Sequence, residues 1–250
     1  TMMTDLLNRY EASMTNKFDV NSQDKKYDLA SEKDTTGMMF SMLVPMLMMV
    51  FLFSGCMAVA PESIAGEKER GTIATLLVTP MKRSHLALGK IVSLSVIAIL
   101  SGLSSFLGTM LSLPKMMGGV EQMNASVYEM RDYLMLLAVI LSTVLVIISL
   151  ISIISAFAKN VKEATTWVTP VMILVIVIAI TSMVDSLKPS SIYMYLIPLY
   201  NSVHCMSNIF SFHIQMTAIV MTVAANVVYT FICVNVLTRM FNNERVIFSR

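Results

Sequence analysis

The sequence predicts an all-α, polytopic membrane helical bundle. Its composition is 56% hydrophobic and only 14% charged, whereas soluble domains carry roughly 25% charged residues. Five apolar runs are each long enough to cross a bilayer at about 1.5 Å per residue. None of these runs has an Asp, Glu, Lys, Arg or His near its middle.

Residues 1–36 are polar and lack a long apolar run. Asp5, Glu11, Asp19, Asp24, Asp28, Glu32 and Asp34 alternate there with Arg9, Lys17, Lys25, Lys26 and Lys33. They read as a flexible arm or as the tail of a soluble region, and the charge pattern below favours the end of an extracytoplasmic region. The rest, 37–250, reads as one transmembrane domain. Its first span covers about 37–60, with Pro45 as a kink that neighbouring helices can accommodate, and Pro61-Glu62 ends the apolar run. The second covers about 86–113 and ends before Pro114. In it Ser101, Ser105 and Thr109, and also Ser104, Gly108 and Ser112, repeat at a spacing that lets helices approach closely in lipid. That seam serves packing within the chain or against a second copy. The third span covers about 133–157, with Ser149, Ser152 and Ser155 on one side, and the fourth about 164–184, with Trp167 near an interface and Pro170 inside. Residues 192–200 and 203–212 are apolar but short and punctuated by Pro189 and Pro198, so they predict re-entrant or interfacial helices. The fifth span, about 216–238, carries Asn226 and Asn235.

Lys and Arg counts orient the bundle. Lys68, Arg70, Lys82, Arg83, Lys90, Lys159, Lys162, Arg239, Arg245 and Arg250 share one side. The other side, beyond the first 36 residues, has Lys115, Arg131 and Lys188. The positive-inside rule makes the first side cytoplasmic. Residues 1–36 then lie outside, and a chain starting in the cytoplasm needs one more span upstream, six in all.

Several chemistries find no motif. A net charge of +2 without a basic, aromatic-interleaved patch gives no reason to expect nucleic acid. Cys56, Cys205 and Cys233 have no metal spacing, and His85, His204 and His213 are too scattered for a zinc site. The 24 methionines read as packing and lipid-facing residues. Gly66 to Gly71 has the outline of a phosphate loop, but Thr72 stands where Lys is required. No catalytic residue, resident cofactor or metal is expected.

One stretch stands out, the charged loop 62–85 between the first two spans. Glu62, Glu67, Lys68, Glu69 and Arg70 crowd its start. Ile73, Leu76 and Leu77 follow at helical spacing and predict a short amphipathic helix. Thr79-Pro80 then reads as an N-cap with proline at the first helical position. Lys82, Arg83 and His85 would oppose the dipole of the helix so begun, which calls for anionic lipid or an acidic partner nearby.

The run Gly66 to Lys90, GEKERGTIATLLVTPMKRSHLALGK, resembles the membrane subunit, or permease, of type-2 ABC exporters. Gly66, Glu67, Lys68, Glu69, Arg70, Gly71, Thr72, Leu76, Leu77, Thr79, Pro80, Gly89 and Lys90 match that family's pattern, and Pro198 and Asn201 fit it further on. The sodium-efflux-type permeases are the most similar branch, from which this sequence departs by lacking the first span and most of the external region. The resemblance implies that 62–79 contains a cytoplasmic coupling helix seated on a separate ATP-binding subunit, which would bind the ATP and Mg. It implies a second permease copy, as homodimer or heterodimer, in a cell membrane of bacterial type. Glu62 and the matched residues from Gly66 to Pro80 are the expected docking residues. Asn226, Asn235 and Thr181 are the polar candidates for a translocation path. Sodium, a drug-like molecule, a lipid or a peptide all remain open as substrate. An ion-coupled carrier or channel, and a non-transporting membrane sensor or scaffold, are the alternative readings.

Overall fold

The computed structural model describes residues 2–15, 32–72, 83–116 and 128–242, and among them every regular element is helical. Residues 1–31 form one unit and 32–250 another. In the first, α1 (Met2–Thr15) is a helix where the sequence suggested an arm or tail. Met3, Leu6, Leu7 and Tyr10 recur on one face of it at helical spacing and are exposed.

The second unit is the bundle. Among the described residues it has five helices long and apolar enough to cross a membrane, over Gly37–Glu69, Leu88–Gly108, Met130–Phe157, Val161–Met183 and Met216–Phe241. The first belongs to α2 (Glu32–Pro61), which begins inside the polar stretch and carries Pro45 without a break. Pro61 does not end it. Proline lacks the N–H that would bond four residues back, and beyond it the backbone widens into a π segment, Glu62–Gly66. One further turn, α3 (Glu67–Glu69), completes the rod. Gly71 closes it at φ +74°, with the Arg70 N–H on the Gly66 carbonyl at 3.0 Å and the Gly71 N–H on that of Lys68 at 3.1 Å. Glycine is the residue that takes this left-handed position without steric cost.

The next long helices are α4 (Arg83–Met116) and α5 (Met130–Phe157). A capping box opens α5, with the Glu129 N–H donating to Asp132 Oδ2 at 3.0 Å. This is the central helix: 67% of its apolar window is buried, against 22% for α6 (Val161–Ile180). It packs on α2, α4 and α6 and on the two helices that follow, α7 (Tyr200–Phe210) and α8 (Met216–Asn242). Ser149, Ser152 and Ser155 are buried along it, each hydroxyl donating to the carbonyl four residues back at 2.6–2.8 Å. The serines thereby satisfy themselves and leave a narrow surface for neighbouring helices. Between α2 and α4 the seam is narrow too. A Cβ on Gly55 would stand 2.7 Å from Ser101 Oγ and 3.2 Å from Ser101 Cβ. So Ser101 packs within the chain.

Three 3₁₀ turns, Thr181–Met183, Asp185–Leu187 and Ile192–Leu196, lead from α6 to α7. Helix α7 does not lie along the surface of the bundle. Asn201 to Ser207, Ile209 and Phe210 are all buried, and α7 contacts α2, α5, α6 and α8. Both its ends use left-handed backbone at residues other than glycine. Leu199 (φ 67°, ψ −47°) is the centre of a γ-turn in which the Tyr200 N–H reaches the Pro198 carbonyl at 2.8 Å. Phe212 (φ 60°) sits where a Schellman motif usually has glycine, with the His213 N–H on the Asn208 carbonyl at 3.0 Å. Its ring stacks on Tyr128 at 4.9 Å, and Tyr128 also meets Phe40, Phe210 and Tyr133 edge-on. This aromatic cluster closes the end of the bundle opposite the charged turn.

Candidate functional site

The charged turn lies at the basic end, where α2 runs out through the π segment into α3. Its three consecutive residues Glu67, Lys68 and Glu69 each engage a different span. Glu67 Oε1 accepts from Lys90 Nζ, near the start of α4. Lys68 Nζ donates to the Ala158 carbonyl at 3.1 Å and more weakly to that of Ala156 at 3.4 Å, at the C-terminus of α5. A lysine there satisfies carbonyls that the helix leaves without partners and complements the negative end of its dipole. Glu69 Oε2 accepts from the Val161 N–H at 3.2 Å, at the N-terminus of α6, where an acidic group is favoured for the converse reason. Asn160 caps the same helix, accepting from the Glu163 N–H at 2.8 Å, and the Glu163 carboxylate accepts from the Lys159 N–H at 2.8 Å.

Two ion pairs in the turn differ in character. Arg70 pairs with Glu62, and both side chains are more than half exposed. Exposed pairs contribute about 0–1 kcal/mol at most. The Lys90–Glu67 pair is 14% and 27% exposed. Lys90 Nζ also donates to the Ser63 carbonyl at 2.9 Å and to Ser63 Oγ at 3.1 Å, so all three ammonium protons are used. The other Glu67 oxygen, Oε2, is buried and has no hydrogen-bond partner among the described residues. Removing Lys90 would therefore strand a largely desolvated carboxylate, which costs far more than losing an exposed pair.

Of the expected docking residues, Glu62, Glu69, Arg70, Gly71 and Thr72 are exposed, and the Thr72 hydroxyl donates to the Glu67 carbonyl at 3.1 Å. Gly66 is buried; a Cβ there would stand 3.2 Å from Glu62 Oε1 and from Val161 Cγ2. Glu67 and Lys68 are half-buried with their charged ends on the bundle, and exposed Glu69 reaches it through one carboxylate oxygen. Leu76, Leu77, Thr79 and Pro80 lie outside the described residues, as does the predicted amphipathic helix. Ser63 carried no signal in the sequence, and nothing local linked Lys90 to Glu67 across 23 positions.

The polar candidates for a path are not brought together. Asn226 is 1% exposed and belongs to a closed network. Its Nδ2 donates to Ser142 Oγ of α5 at 3.1 Å and to Ser202 Oγ of α7 at 3.0 Å, and its Oδ1 accepts from Asn201 Nδ2 at 3.1 Å. Asn201 Nδ2 also donates to the Tyr195 carbonyl at 3.1 Å. Thr181 donates to the Ile178 carbonyl at 2.5 Å and lies 3.0 Å from His204 Nε2. With the threonine proton so placed, the His204 Nε2–H is the donor between them. Asn235 is exposed on α8, its Nδ2 donating to the Phe231 carbonyl at 2.8 Å. It lines an open, mostly apolar groove of about 330 Å³ together with Thr230, Thr238, Phe231 and Leu88.

Four apolar spans around a fifth, buried one, with a charged turn at one end, describe a multi-pass membrane protein. Residues 4–246 match the model of a family described as ABC-2 family transporter protein. The chain belongs to that family. It is 29% identical over 157 residues to the ABC transporter permease protein NatB of Bacillus subtilis (strain 168), a match that takes in 61% of this chain and 39% of that relative. No solved structure matches it.

Proposed function

We propose that the chain is the membrane-embedded permease subunit of an ATP-driven exporter, coupled to a separate ATP-binding subunit through 62–79. The observation that carries this reading is the charged turn. It ends in exposed Glu62, Arg70, Gly71 and Thr72 at the basic end of the bundle, a site where a soluble motor can reach it. By the positive-inside rule that end faces the cytoplasm, and residues 1–36 belong to the extracytoplasmic side. ATP and Mg bind to the motor, and this chain supplies the path together with a second permease copy. Sodium stands first among the substrates, ahead of drug-like, lipid and peptide cargo, on the likeness of the loop to sodium-efflux permeases. Asn235 is the best placed of the three polar candidates to meet cargo, since Asn226 and Thr181 have their hydrogen bonds inside the fold.

Co-expression of the intact protein with its ATP-binding subunit, followed by reconstitution, tests the reading. ATP-dependent accumulation of ²²Na⁺ in inverted vesicles is the expected result. Exchanging Glu62 and Arg70 for glutamine should weaken subunit binding while leaving the bundle folded. Failure of the intact protein to associate with any ATP-binding subunit would overturn the proposal.

A further inference from the structure

The charged turn does more than present a surface. Helix α3 continues α2, and its three residues hold α4, α5 and α6 in turn through Lys90, the Ala156 and Ala158 carbonyls, and the Val161 N–H. Four of the five spans thus meet at one helical turn. Two of these contacts run to backbone. The third runs between two charged side chains that are 14% and 27% exposed.

We propose that Lys90 is the positioning residue of the coupling machinery, the staple that makes displacement of the turn move α4 together with α2. This inference rests on the reading of the loop as a docking site. Three observations support it. The Lys90 ammonium bridges Glu67 of α3 and both the carbonyl and hydroxyl of Ser63 in the π segment, so it ties the π segment to the turn that follows it. The π segment has wider, less regular backbone bonding than an α-helix and is the natural place for the rod to yield. And Glu67 Oε2, buried and unbonded among the described residues, leaves Lys90 as the group that offsets the carboxylate's burial. Without Lys90 the turn would still present Glu62, Arg70 and Thr72, but push applied there would bend the π segment instead of moving α4.

The test uses the intact permease with its ATP-binding subunit in nanodiscs and vesicles, comparing Lys90→Met with wild type. Hydrogen exchange of amides 62–72 reads the staple directly and needs no partner. Faster exchange there is expected, with subunit binding retained and ATP-driven transport reduced by about tenfold. The exchanged pair Glu67→Lys with Lys90→Glu restores the ion pair but not the bond to the Ser63 carbonyl, and should recover part of the slow exchange and part of the transport. Should Lys90→Met fail to fold, Lys90→Gln removes the charge while keeping a donor for Ser63, and the same comparisons apply. Wild-type exchange and transport in the Lys90 variant would overturn the staple. So would lost transport with unchanged exchange, since the defect would then lie elsewhere. Failure of the wild-type protein to bind an ATP-binding subunit would instead sink the docking reading, leaving the exchange arm to judge the staple alone.

Discussion

At the scale of single residues, the polar side chains that caught attention in the sequence have dense hydrogen bonding in the fold. His204 lies outside the five spans, 1% exposed, with Thr181 at 3.0 Å and the Tyr200 ring at 4.3 Å. Burial first, and then the Lys188 cation, pushes its imidazole down to about 4. Folded protein therefore keeps His204 neutral in a range where the unfolded chain binds a proton. Stability is full above pH 6.5 and falls as pH drops toward 4, by at most about 1.4 kcal/mol per pH unit. Thermal melting in detergent across that range should show the decline, and His204→Gln should flatten it. Equal slopes in the two proteins would remove His204 as the cause. Asn226 illustrates the limit of residue type as a guide. An asparagine in an apolar run suggests a path and a structural contact equally well. The choice depends on Ser142, Asn201 and Ser202, which lie 84, 25 and 24 positions away.

At the scale of elements, apolar length and spacing in the sequence foretold five spans and the short broken segment before the last. Three things were not legible there. The continuation of α2 through Pro61 depends on a π segment, and no local residue pattern distinguishes that from a simple stop. Helix α1 is short and its residues mixed, so length and polarity hid its apolar stripe. The burial of α7 comes from packing on four other helices, which its own composition does not encode. The charges of the 62–72 turn were visible, but their partners were not: Glu67, Lys68 and exposed Glu69 bond to span ends remote in the chain. Among contacts between elements, the α2–α4 seam at Gly55 and Ser101 gives a sharp test. Gly55→Val would need space that Ser101 Oγ and Cβ already fill. Overpacking of this kind costs about 1–3 kcal/mol, and a lower melting temperature in detergent is expected. Pairing it with Ser101→Gly should return most of the loss; no return would mean that the strain falls on another neighbour.

At the scale of the whole molecule, the basic end and the aromatic end are chemically distinct, and the proposed function requires them to face opposite sides. Cys56 and Cys205 are buried and Cys233 is half-buried, so replacing Cys233 with serine leaves little background for a membrane-impermeant thiol reagent. Lys162→Cys should react in inverted vesicles and Tyr193→Cys in right-side-out ones. The reverse pattern would put the charged turn outside the cell and leave no motor within its reach. One more consequence concerns α7. Its Asn201 and Ser202 both bond Asn226 of α8, made after it, and Asn226 in turn donates to Ser142 of α5, made before it. A growing chain that has just emerged as far as Phe212 cannot yet complete this network. Helix α7 can already pack on α2, α5 and α6, but Asn201 and Ser202 lack one buried partner until α8 arrives. The last span is in this sense the key that locks an earlier segment, since it supplies Asn226, the side chain that ties α7 to α5.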